Sequence, residues 1–363
     1  MHYKCISIKV KKYKLIALVS YIRVDDHMAN KLDDLSGKIV SVASKCSDVE
    51  MIAPLKVGEG GSKNELIFFI KPEIFMLSEG DSKKVVDLII RKFEEFGVDM
   101  AGTYCISGSC LDKHNIMARH YGFINVMSTS ASKLVDDEGK RKIAEAYGLG
   151  GKFEIMGGHE YLKAHPSENV ESLDKLWFAE KSVKIRSGFY VRHLKEGGKD
   201  IILVNGFHPK QLAYFTDPSH KIVLMLLHSN NEWGKLKNLM VGATFPDKAD
   251  AGSIRGVLYK DAKSYGFESV TIANNCVHLS AGPFEGMFEI FNFFGKITTA
   301  DLHGKEQPLL LRKMMAEGIE YERASKALDN PKLEYAGKQT DLFSATEDMD
   351  TDKAIALFKS AVK

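Results

Sequence analysis

Apolar positions recur along this chain with two different periods. Glu65-Leu66-Ile67-Phe68-Phe69-Ile70-Lys71-Pro72 is an apolar run closed by a proline, which cannot donate to a central ladder, so it predicts a buried strand ending at Lys71. From Ser82 the spacing becomes helical, with Val85, Val86, Ile89, Ile90 and Phe93 on one face, and Gly97 stops the helix before a strand near 98–106. A short helix over 111–121 follows. Further on the pattern predicts a strand at 221–228, a helix at 232–240, a strand at 269–278 and a helix at 284–294.

Between these halves the rhythm breaks. Residues 122–204 carry a charged helical segment near 136–147, glycines at 148, 150, 151, 157 and 158, and a hairpin signal at Glu196-Gly197-Gly198-Lys199. Read as an insertion, this stretch leaves the order β-α-β-β-α-β around it, the split ferredoxin-like arrangement of an α+β fold. The expected organisation is an N-terminal segment over 1–64, a core over 65–121 and 205–297, an inserted lobe over 122–204, and a helical tail over 298–363. Gly58-Glu59-Gly60-Gly61-Ser62 marks the first boundary. Ahead of it, short strands are expected, one of them near Leu15 to Ile22 and one in the alternating stretch Lys38 to Ala43, together with one helix. In the tail, Pro308 opens a helix expected to run to Leu328, before Asn330-Pro331.

Charge and composition narrow the function classes. Lys plus Arg total 50 against 48 Asp plus Glu, a net +2 over 363 residues, which gives no electrostatic footprint for nucleic acid or an anionic membrane. The aliphatic runs fall short of the roughly 18–20 residues that a spanning helix needs. Five cysteines, Cys5, Cys46, Cys105, Cys110 and Cys276, show no disulfide-scaffold spacing, so reduced thiols and a cytoplasmic location are expected. Cys105, Cys110 and His114 match no common zinc spacing, and the position after His159-Glu160 that a zinc-protease helix needs is Lys163, so no metal-ligating residue is expected.

The chemistry concentrates in Gly242-Ala243-Thr244-Phe245-Pro246, Gly252-Ser253-Ile254-Arg255-Gly256, Asn275-Cys276-Val277-His278-Leu279-Ser280 and Glu289. A neutral imidazole can attack a phosphate without a separate base, and a carboxylate on the following helix can orient it. Together these segments resemble the nucleoside diphosphate kinase family, with its Gly-x-Thr-x-Pro, Gly-Thr-Ile-Arg-Gly and Asn-x-x-His-x-Ser segments. Thr244 and Arg255 lie eleven residues apart, as do His278 and Glu289, matching the family spacing. Lys71-Pro72-Glu73 looks like its Lys-Pro-Asp, and His120-Tyr121 like its His-Tyr. The resemblance implies γ-phosphate transfer from a Mg²⁺-bound nucleoside triphosphate such as ATP to a nucleoside diphosphate through phosphorylated His278, with Glu289 and Ser280 in support. It also implies phosphate contacts from Arg255, Thr244 and Tyr121, contacts to ribose and phosphate from Lys71 and Asn275, and base stacking on Phe207. A homo-oligomer is a further expectation. Where the family has an arginine six residues before the threonine, this chain has Asn238, beside Lys237. The rival reading is a non-catalytic nucleotide-binding or regulatory module.

Overall fold

A computed structural model describes residues 34–150 and 152–362. The strand expected near Leu15 to Ile22 lies outside the described residues. The chain mixes helix and sheet. In chain order its strands are β1 (Val49–Ala53), β2 (Asn64–Ile70), β3 (Asp99–Ser107), β4 (Glu154–Gly157), β5 (Val183–Arg186), β6 (Phe189–Glu196), β7 (Lys199–Val204), β8 (Lys221–Ser229), β9 (Val277–Leu279), β10 (Lys332–Tyr335) and β11 (Lys338–Asp341). The main sheet runs β1-β3-β8-β2-β9, with every neighbouring pair antiparallel.

β2 reads as a continuous apolar run because both of its faces are covered. Leu66, Phe68 and Ile70 meet a layer that includes Ile39, Val40, Val85, Val86, Ile89, Phe93, Trp233 and Leu236, while Ile67 and Phe69 meet Ile116, Met117, Phe215 and Phe293. The helix Glu79–Glu95 begins where Ser78 accepts the Asp81 N–H, and Gly97 follows its end in the left-handed region at φ +56°. Ser82, the expected opening residue, lies inside that helix, and its hydroxyl donates to the Ile74 carbonyl.

Several local expectations are corrected. Residues 34–45 form a helix, not a strand at Lys38 to Ala43, because Ile39, Val40 and Ala43 bury one helical face against the sheet. Within the segment before the glycine boundary, β1 pairs with β3 at the sheet edge. The strand expected at 269–278 shrinks to Val277–Leu279, since Thr271 N–H closes a turn onto Asn274 and Cys276 sits at φ +71°. The helix expected at 232–240 has one α turn, Trp233–Lys235, before a wider π turn over Leu236–Val241. The tail is not purely helical. Its first helix, Leu309–Ala316, ends near Gly318 at φ +81°, and β10 and β11 form a hairpin whose turn residues Ala336 and Gly337 both have positive φ, the geometry of a tight two-residue hairpin turn.

Within 122–204 the strands form a second sheet, β4-β7-β6-β5, none of which pairs with the main one. Met127, Ala131, Val135 and Ile143 pack on one face and Tyr161, Leu173 and Trp177 on the other. Gly197 and Gly198, both at positive φ, turn β6 into β7 as the hairpin signal predicted. Among the described residues, no helix is long and apolar enough to cross a membrane.

Two buried polar knots tie the tail to β2. Glu65 accepts the N–H groups of Gly58 and Leu309, each at 2.7 Å, and meets His228 Nε2 at 2.9 Å. Asn64 donates to Asp350 at 3.1 Å and accepts the Thr351 N–H at 3.0 Å, and Asp350 also accepts the Trp233 N–H at 2.8 Å and pairs with Lys63 at 2.5 Å. Burial alone would raise the Asp350 carboxyl, but Lys63, the Trp233 N–H and Asn64 outweigh it and hold it below the usual range. Asp350→Ala is therefore expected to cost about 1–3 kcal/mol by orphaning these donors. The deficit, read as a urea midpoint shift, should be full above the ordinary aspartate pKa of about 3.9 and shrink as pH falls through the depressed folded value, where only the hydrogen bonds of a neutral carboxyl remain. A deficit that persists unchanged in acid would contradict this account.

Candidate active site

His278 is placed by the pairing of β9 with β2. Its register partner is Phe69, so Val277 and Leu279 enter the core on one face of the sheet while His278 faces the other. There the imidazole stacks on Phe69, with ring centroids 4.5 Å apart and planes 19° from parallel. Ser280 continues the pairing, because its N–H donates to the Ile67 carbonyl at 3.0 Å and its hydroxyl accepts the Ile67 N–H at 2.9 Å. The chain then turns at Gly282 into the helix Pro283–Ile297, whose Ile290, Phe293 and Phe294 pack on the same face as Phe69.

That packing points Glu289 back at the strand. Its carboxylate is fully buried, with Oε1 2.7 Å from His278 Nε2 and 3.2 Å from His120 Nδ1, and Oε2 accepting the Ser280 hydroxyl. Burial would raise this carboxyl, but His278 and His120 reverse the effect and hold it well below the usual range. An ionised carboxylate only accepts, so each imidazole presents an N–H to it. His278 therefore keeps a lone pair on Nδ1. Its own pKa is lowered by burial, which outweighs the pull of Glu289, so the ring is neutral at pH 7.

A second group surrounds the end of β2. Lys71 N–H donates to the Cys276 carbonyl at 2.9 Å, and Lys71 Nζ donates to Asn275 Oδ1 at 2.5 Å. Asn275 Nδ2 in turn donates to the Thr244 carbonyl at 3.1 Å. Buried Glu73 accepts the Cys276 N–H at 2.9 Å and the Tyr214 hydroxyl at 3.2 Å. Burial draws the Lys71 ammonium down, with Glu73 opposing, and pushes the Cys276 thiol up, so the thiol stays protonated.

The residues expected from sequence thus fall into three places. His278 and Ser280 each bond to Glu289, and Lys71, Asn275, Thr244 and Arg255 form the adjoining group through the chain over 275–278. The resemblance assigns Arg255 to phosphate oxygens. In the structure its Nε, Nη1 and Nη2 donate to the carbonyls of Asn275, Gly242 and Val277 at 3.2, 2.7 and 2.6 Å, so the guanidinium first of all shapes the loop before His278. Tyr121 lies against His120, Phe215 and His208, with centroids 5.1, 6.0 and 5.4 Å away. Phe207 is apart from both groups and packs on Trp177 and Tyr190 at 5.7 and 6.1 Å, because it closes the apolar layer of the second sheet. Lys237, the cation beside Asn238, is held by Glu347 and Asp348 of the tail at 2.5 and 2.9 Å.

His120 is the principal residue that the sequence assignment passed over, although it stands next to Tyr121 in the His-Tyr pair. Glu73 is another, and its only signal is its place after Lys71-Pro72. Donor atoms of His120, His278 and Glu289 all lie within 4.8 Å of one another.

No family model matches the chain, and no curated protein matches it. Among solved structures it is similar to an apo nucleoside diphosphate kinase from Encephalitozoon cuniculi, at 15% identity over 67% of this chain and 97% of that one, with a TM-score of 0.32. An NDP kinase from Pyrobaculum aerophilum gives 17% identity, 65% and 98% coverage and a TM-score of 0.32. A nucleoside-diphosphate kinase from Borrelia burgdorferi, in a transition-state mimic with vanadate and ADP, gives 16% identity, 66% and 94% coverage and 0.31.

Arg255→Met should orphan three carbonyls and lower stability by about 1–3 kcal/mol, measured as a shift in the urea midpoint. Arg255→Lys should restore only part, because a point ammonium cannot span the three acceptors as the planar fork does. Full stability in Arg255→Met would contradict a loop-shaping role.

Proposed function

We propose that the protein is a phosphotransferase of the nucleoside diphosphate kinase type, with His278 as the residue that carries the phosphoryl group. The observation that carries this reading is the His278 imidazole held through Nε2 at 2.7 Å from Oε1 of fully buried Glu289, which leaves Nδ1 as the attacking nitrogen. In the first half-reaction Nδ1 attacks the γ-phosphorus of a Mg²⁺-bound nucleoside triphosphate, forming the N–P bond as the bond to the β-γ bridging oxygen breaks and the diphosphate leaves. The second half-reaction is the reverse onto another nucleoside diphosphate. Glu289 compensates the positive charge that develops on the ring, and Ser280 steadies Glu289.

Lys71, Asn275, Thr244, Arg255 and Tyr121 are the groups assigned to phosphates and ribose, with Mg²⁺ arriving as part of the substrate. Phe207 is assigned to the base, which would require it to leave its packing on Trp177. The order β3-β8-β2-β9, with the helices Glu79–Glu95 and Trp233–Lys235 on one face, supports a ferredoxin-like core, and the separate second sheet supports reading 122–204 as an inserted lobe. Unpaired Cys46, Cys105, Cys110 and Cys276 fit a cytoplasmic setting. A nucleotide-binding module without turnover is the second reading, favoured by Asn238 and by the engagement of Lys237 with the tail.

Incubation with ATP labelled on its γ-phosphate separates the two. We expect acid-labile, alkali-stable label on the protein, abolished by His278→Ala with nucleotide affinity nearly unchanged; label that survives His278→Ala overturns the assignment. The pH profile is a further expectation. Since burial lowers the His278 pKa, the labelling rate should hold its plateau as pH drops past the ordinary histidine value of about 6.5 and fall only below it, where Nδ1 takes up a proton. A midpoint above 6.5 would show that burial does not govern this ring.

A further inference from the structure

We propose that His120, His278 and Glu289 form a binding site for a divalent transition-metal ion of the zinc class. Three donors converge from separate elements: His278 from β9, Glu289 from the helix Pro283–Ile297, and His120 from the short helix Ile116–His120. Glu289 Oε1 lies 2.7 Å from His278 Nε2 and 3.2 Å from His120 Nδ1, and all three donors fall within 4.8 Å of one another. Zinc bonds of about 2.0–2.2 Å place tetrahedral ligands roughly 3.3 Å apart, so these side chains need shifts of about an ångström to close on an ion.

The support around the donors is that of a held ligand set. Ser280 pins Glu289 through Oε2, which leaves Oε1 aimed at the two rings, and Phe69 and His120 fix the His278 plane from two sides. Two imidazoles with one carboxylate suit Zn²⁺ or Co²⁺, whereas Mg²⁺ takes oxygen ligands. Glu289 is fully enclosed and the His120 side chain is 7% exposed, while that of His278 is 18% exposed, so a fourth ligand, water or an anion, would enter on the His278 side.

Metal binding has a defined proton balance. Each ring now carries its proton on the nitrogen facing Glu289. To ligate, each ring moves that proton to its outer nitrogen, from Nε2 to Nδ1 in His278 and from Nδ1 to Nε2 in His120. A metal-bound His278 then has no lone pair on Nδ1. This consequence, and only this one, rests on the phosphotransfer reading: the loaded protein cannot be phosphorylated there.

The test is Co²⁺ titration of the chelator-stripped full-length protein, with no nucleotide present. We expect visible absorption of four-coordinate Co²⁺ that saturates at one ion per chain, is displaced by Zn²⁺ and is untouched by Mg²⁺. His120→Asn and Glu289→Gln should each abolish it, and Ser280→Ala should weaken Co²⁺ binding roughly 10–100-fold. Should Glu289→Gln fail to fold, His120→Asn and His278→Asn carry the test, with far-ultraviolet circular dichroism as the check on folding. Absence of a stoichiometric four-coordinate spectrum overturns the site, as does a spectrum that survives both histidine variants. Because this readout needs no nucleotide, it stands or falls separately from the labelling of His278.

Discussion

An ionised carboxylate with no surface in water is among the most expensive groups a fold can contain, and Glu289 survives only because three donors meet it. Removing water from such a charge costs several kcal/mol unless partners replace it. The strand β9 is three residues long, yet it has to place His278 and the following Ser280 at the correct height beside β2. The helix Pro283–Ile297 has to run at the angle that returns Glu289 to that strand, and its Ile290, Phe293 and Phe294, packed on the face that carries Phe69, set this angle. His120, on the other side, completes the compensation. None of these elements can slide by one residue without leaving the charge unpaired.

Much of this was legible in the sequence where the signal is local. The apolar run of β2, the helical spacing from Val85 to Phe93 and the glycine pair between β6 and β7 all report nearby backbone geometry. The eleven residues from His278 to Glu289 carried the strand-to-helix return as a motif. What escaped has no local signature. Arg255 spends three nitrogens on carbonyls of chain that it meets only after folding, and Phe207 joins the second sheet through partners about fifteen to thirty residues away in sequence, Tyr190 and Trp177. The helix over 34–45 was missed because Lys38 to Ala43 alternates as well as it repeats, and only the layer beneath it decides between the two periods. The polar stretch before Cys276 could not hold a strand once the chain took a positive φ there.

The second sheet touches the site through a narrow passage of aromatic rings. Buried Asn205, at φ +47°, closes the hairpin partner of β7 by accepting the Tyr190 N–H and donating to the carbonyls of Ile124 and Gly188. Just beyond it, His208 meets Tyr121, which meets His120, which meets His278, at centroid spacings of 5.4, 5.1 and 4.8 Å. Burial lowers His208 to about 4, so this contact is made by a neutral ring and depends on shape rather than on charge.

The knots between β2 and the tail have a consequence for how the chain is born. Asn64 and Thr351 are 287 residues apart in sequence, and Glu65 and Leu309 are 244 apart, yet each pair bonds at the strand that anchors His278. At synthesis rates of about 5–20 residues per second, Asn64 waits roughly 15–60 s on the ribosome for its partner. Through that interval the Asn64 side-chain oxygen lacks its Thr351 partners, although its amide nitrogen gains the Asn231 carbonyl earlier. Long-range closure of this kind slows folding and leaves the nascent sheet open to wrong partners. The demand for chaperone protection should therefore fall on the interval between the emergence of β2 and that of the tail, rather than on the finished chain.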